Sequence, residues 1–203
     1  MAWHSYTVAI AGPSAEFDKD LSPHEKILSH NQIEKRRFVL TNSRRGAVFD
    51  LLKDICDHSP VGSDLYIVNE PAVLEGDDIS RAADSIQALI NAIEHDPGFV
   101  VEATKQAYRP TMQVQLDGFE PLELQVVHTG NPTIKDGWVY SYEKSEVLAY
   151  LQSAQSSEDP CPPYDDDGEG LEYAFGILKS HLALLRHAAE SGFMFVFAEL
   201  NSV

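Results

Sequence analysis

Apolar positions along this chain change their spacing several times, and each change marks an element. The most regular run lies near the C-terminus. There Leu171, Phe175, Leu178, Leu182, Leu185 and Ala189 recur at spacings of 4, 3, 4, 3 and 4, which aligns them along one face of a long α-helix. Gly192 follows at the C′ position, where a left-handed residue ends a helix. Beyond it, FMFVFAEL (193–200) is apolar at odd and even positions alike. Such a run predicts a strand covered on both faces, central in a sheet, with Phe195 and Phe197 packed by Leu178, Leu182 and Leu185.

A second stripe of Ile79, Ala82, Ala83, Ile86, Leu89, Ile90 and Ile93 predicts a helix opened by Asp77 and Asp78 and closed by Pro97-Gly98. A shorter one, with Val48, Leu51, Leu52 and Ile55 on one face, follows the strand pattern RRFVLT (36–41). Asn42 or Ser43 would cap that helix, which runs to about Asp57 and stops at His58-Ser59-Pro60. The N-terminal MAWHSYTVAIAGPSAEF predicts a first strand, LYIV (65–68) a short buried one, and WVYSY (138–142) another. That last strand leads into a short helix through Val147, Leu148 and Leu151. Met112, Val114 and Leu116 alternate with polar residues, as do Leu122, Leu124 and Val126, on either side of Asp117-Gly118. Period 2 on both flanks of Asp-Gly predicts a hairpin, although Pro121 weakens the start of its second strand.

Together the patterns predict an α+β fold in a single domain over residues 1–203: a mixed sheet with an antiparallel hairpin, packed by about four to five helices. A regular doubly wound fold fits less well, because residues 99–142 carry too much hairpin character. SAQSSEDPCPPYDDDGEG (153–170) holds few apolar residues and many Ser, Pro, Asp and Gly, and reads as a flexible acidic, proline-rich loop.

Composition supports folding, with 43% hydrophobic and 9% aromatic residues among 203. Charge changes the picture more. The net charge is −17, and its distribution is uneven: residues 1–63 carry eight acidic and eight basic side chains, which cancel. Residues 64–102 carry nine acids against one base, and residues 157–203 nine against two, so these segments supply fifteen of the seventeen net negative charges. A field of that sign disfavours nucleic acid and anionic membranes, and favours fast association with a basic protein partner. No apolar stretch approaches the roughly 20 residues needed to cross a bilayer. Without a basic leader, and with only Cys56 and Cys161, both expected to be free thiols, the chain is expected in the cytoplasm.

Chemistry-bearing motifs are few. Asp165, Asp166, Asp167 and Glu169 invite comparison with a calcium loop, which needs oxygen ligands at positions 1, 3 and 5, glycine at 6 and glutamate at 12. From Asp165 the first four requirements are met by Asp165, Asp167, Glu169 and Gly170, but position 12 is Gly176, which has no side chain to ligate. Acids just before a helix instead complement the positive end of its dipole, and they add to a docking surface for a basic partner; Asp77 and Asp78 do the same at their own helix. His24 and His30 lie six apart, as do His181 and His187. On a helix that spacing leaves side chains about 120° from alignment, so neither pair makes a two-ligand metal grip. No metal or other cofactor is expected. Ser14, in AGPSAE, lacks the strand-to-helix elbow of a nucleophile. Cys161, between two prolines, has no neighbouring cation to activate it. Against the global charge, Arg44 and Arg45 fall at the expected start of a helix after a strand, where free N–H groups favour an anion. Pairing with the chain's own carboxylates is the simpler account of these arginines.

The sum of these features is a non-catalytic cytoplasmic binding protein, with an immunity or inhibitor protein that neutralises a basic toxin as the fitting class. An unrecognised enzyme or small-anion binder using Arg44 and Arg45 is the alternative, and a housekeeping protein whose acidity serves only solubility is a third.

Overall fold

A computed structural model describes residues 4–29, 37–44, 47–61, 71–107, 111–114, 122–125, 142–154 and 171–201. In chain order the elements are β1 (His4–Gly12), a single 3₁₀ turn (Ser14–Glu16), α1 (Pro23–Ser29), β2 (Arg37–Arg44), α2 (Ala47–His58), β3 (Ala72–Leu74), α3 (Asp77–His95), α4 (Gly98–Ala107), β4 (Thr111–Val114), β5 (Leu122–Gln125), α5 (Lys144–Ser153), α6 (Leu171–Ser191) and β6 (Met194–Asn201).

Alternation along β6 organises the fold. Phe195 and Phe197 enter the main core with Ala9 and Ala11 of β1 and the apolar faces of α2 to α6. Met194, Val196 and Ala198 point the other way, into a smaller cluster with Ile10, Phe17 and Ile27 of α1. One β6 face therefore meets the core shared by the five later helices and the other meets α1, which is why residues 194–198 are apolar at every position. Its partners are β1 and β3, in the order β2-β1-β6-β3, so the expected central position is correct. The strands and helices form an α+β fold.

Two expectations about the sheet need correction. Every pairing among the described residues is antiparallel, so the four-stranded sheet is not mixed. Helices between strands permit parallel neighbours but do not require them; the direction of each returning strand is set by where its helix docks, which periodicity does not record. The helix after RRFVLT also starts later than Asn42 or Ser43. Ladder pairing with β1 runs as far as Arg44 opposite His4, and these hydrogen bonds hold residues 42–44 extended against their capping tendency.

α6 is buried on nearly every side: Leu171, Phe175, Leu178, Leu182 and Leu185 all lie in the core, whereas Ala189 is exposed near the helix end. Gly192 stops the helix with φ of 63°. Its N–H donates to the Ala189 carbonyl at 3.3 Å, and the Phe193 N–H donates to that of Ala188 at 2.8 Å, the paired bonds of a Schellman ending. The hairpin also forms. Thr111 faces Gln125 and Val114 faces Leu122, a register symmetric about position 118. Its connection, LYIV (65–68), residues 138–141 and residues 155–170 lie outside the described residues.

α1 and α4 are helices that apolar spacing does not announce. α1 has two turns, too few for a period, but Ser22 and Glu25 bracket its start reciprocally. The Ser22 N–H donates to Glu25 Oε2 at 2.9 Å, and the Glu25 N–H donates to Ser22 Oγ at 3.3 Å. With Pro23 as the first helical residue, Ser-Pro-x-Glu is a legible capping box. The start of α4 is held by Asp96, which accepts from the Gly98 N–H at 3.0 Å and from Lys144 Nζ of α5 at 2.7 Å. That ammonium, then the Gly98 N–H, hold the Asp96 carboxyl below its ordinary range. Lys179 of α6 in turn donates to the carbonyls of Leu151 and Ala154, at 2.5 and 2.7 Å, closing the end of α5.

Candidate functional site

Three segments distant in sequence meet around a surface cleft of about 230 Å³. The turn after β1 contributes Ser14, the approach to α3 contributes Glu75 and Gly76, and the end of α6 contributes Ala189, Gly192 and Phe193. Local chemistry explains each wall. Pro13 leads the chain into the 3₁₀ turn carrying Ser14. Gly76 turns the chain into α3 with φ of 53°, a backbone that side chains disfavour. Gly192 does the same at the end of α6. At neither glycine would an added Cβ meet another atom within 4 Å, so the cleft is open to solvent beside both turns.

Glu75 is the sole charged side chain among the lining residues. The carboxyl end of α6 and the amino end of α3 bring partial charges of opposite sign that offset one another, and among the described residues Glu75 enters no ion pair. Nearby cations are engaged elsewhere: Arg81 pairs with Asp78, and Arg186 Nη2 donates to Gln87 Oε1 at 2.5 Å. The polar side chains of the walls are one hydroxyl, Ser14, and one carboxylate, Glu75.

Asp77 and Asp78 occupy the first turn of α3 and are exposed, where they complement the helix dipole, and Asp78 pairs with Arg81. Glu75, just before the helix, and Asp84 and Glu94 along it are exposed as well. Asp165, Asp166, Asp167 and Glu169 lie outside the described residues. Arg44 ends a strand rather than opening a helix, α2 begins only at Ala47, and Arg45 lies outside the described residues.

Buried groups complete the inventory. His181 is fully buried between Phe195 and Phe197, with ring centroids 6.1 and 5.3 Å away, and burial pushes its imidazole down to about 3. His187, six residues on, is exposed and packs edge-on against Phe193 with centroids 5.7 Å apart. Cys56 is buried in α2, and desolvation, with a smaller push from Asp57, raises its thiol to about 12. Among the described residues no three His, Cys, Asp or Glu side chains converge to hold a metal, and no helix is long and apolar enough to cross a membrane.

The cleft escapes sequence reasoning because its walls come from residues about 60 and then 110 positions apart, with no shared motif. The signal that existed was local: Gly76 directly before Asp77-Asp78, and Gly192 at the helix end, mark two turns without saying that they adjoin. Comparison of the chain with known protein families, with curated proteins and with solved structures finds no match in any of the three.

Proposed function

We propose that this chain is a non-catalytic cytoplasmic binding protein whose acidic surface engages a cationic protein, in the manner of an immunity or inhibitor protein that neutralises a basic toxin. The supporting observation is the solvent side of α3. Glu75, Asp77, Asp78, Asp84 and Glu94 are exposed there, while Arg81, the single base in residues 64–102, is taken up by Asp78. Unbalanced carboxylates on a rigid helix create a persistent negative potential that raises the encounter rate of a positively charged partner. The second acidic segment, with Asp165, Asp166, Asp167 and Glu169, extends the same sign of charge along the chain.

Association kinetics with a purified basic partner test this reading. The on-rate should fall steeply with added salt while the off-rate changes less. Neutralising Asp165, Asp166 and Asp167 to asparagine, or Asp77, Asp84 and Glu94 to their amides, should slow association and flatten its salt dependence without loss of fold. A binding rate indifferent to salt and to both sets of changes would leave the acidity as a solubility feature and remove the physical support for the proposal.

A further inference from the structure

Acidic steering says how a partner arrives, not where it is held. We propose that the cleft between the 3₁₀ turn, the start of α3 and the end of α6 is the anchoring pocket for one basic side chain, arginine or lysine, of that partner. This inference rests on the function proposed above and adds the location and chemistry of the contact.

Size selects the class of occupant. About 230 Å³ is several times the roughly 30 Å³ share of one water, yet below the roughly 300–1,000 Å³ of sites that enclose a whole small molecule. It suits the end of one long side chain delivered from outside. Charge selects the sign. Glu75 supplies a full negative charge and no cationic side chain among the lining residues opposes it; the partial charges of the α6 carboxyl end and the α3 amino end, of opposite sign, offset one another. Phe193 adds an aromatic wall, a surface that favours cations and the apolar stem of lysine or arginine. The open space beside Gly76 and Gly192 leaves room for the partner's backbone at the rim. Glu75 also continues the acidic side of α3, so the side chain that enters the cleft comes from the surface already steered toward it.

The probe is N-acetyl-arginine N-methylamide, titrated into the ¹⁵N-labelled protein, with the neutral glutamine analogue as control. The arginine probe should shift the amides of Gly76, Ile79, Ala189 and Gly192 together and saturably, and the glutamine probe should not. Glu75→Gln should weaken the fit roughly two- to fivefold, the range for one solvent-accessible ion pair. Ala189→Trp, at an exposed position on the cleft wall, should abolish it, while the amide spectra of both variants stay native elsewhere. Shifts scattered over the acidic surface, or an unchanged affinity in Glu75→Gln, overturn the pocket. An oligolysine peptide separates this failure from that of the broader reading. If it still associates at a salt-sensitive rate, the acidic surface stands and only the pocket falls; if it does not associate, both fall.

Discussion

Acidification should uncouple α6 from the sheet through one residue, His181. Its ring is fully buried between Phe195 and Phe197, and desolvation, the sole cause of its shift, takes the imidazole from an ordinary 6.5 to about 3. The native state therefore refuses a proton that the unfolded chain accepts below pH 6.5. Stability is fully present above that value and is lost as pH falls toward 3, by about 1.4 kcal/mol per pH unit. Between about pH 7.5 and pH 4.5 the loss amounts to about 2–3 kcal/mol, a large share of the roughly 5–15 kcal/mol that holds a domain folded. The assay is urea unfolding of wild type and His181→Leu at about four pH values across that range. Carboxylates shared by both proteins, including the lowered Glu25 and Asp96, cancel in the difference. Wild type should lose about 2–3 kcal/mol more than the variant on acidification. A difference that moves by less than about 1 kcal/mol would refute the reasoning, because the ring would then gain its proton without leaving the core.

Three further outcomes test the frame around that residue. Leu182→Ala, in the cluster that packs Phe195 and Phe197, should cost about 2–5 kcal/mol; an unchanged thermal midpoint would show that this face of α6 is misassigned. Gly192→Ala should cost about 1–2 kcal/mol in chemical denaturation, because φ is 63° and an added methyl meets no neighbour that would stabilise it; a neutral result would contradict the left-handed ending. Cys56, with its thiol raised to about 12, should resist Ellman's reagent at neutral pH until denaturant is added; labelling of the Cys56 peptide in the native protein would contradict its burial.

What the chain determined alone was everything repeated locally. The stripe of α6, the stop at Gly192, the stripe of α3 and the alternation in β4 and β5 need only backbone geometry and a solvent boundary, so period and turn residues disclose them. The burial of Met194 to Ala198 on both faces of β6 was legible for the same reason, since five consecutive apolar residues leave no side for water. Its neighbours were not legible. β3 has three residues and exists because Ala72, Val73 and Leu74 pair with β6; α4 starts where Asp96 and a lysine from α5 hold it. Asn42 and Ser43 carry capping side chains but lie in a strand, because pairing across to β1 outweighs a local cap. The acidity of α3 could be counted from the letters, yet the cleft beside Glu75 could not. Its walls are brought together by a helix end and a strand crossing that meet only after the sheet has closed on α6, and adjacency between distant segments is a property of packing, which no local period encodes.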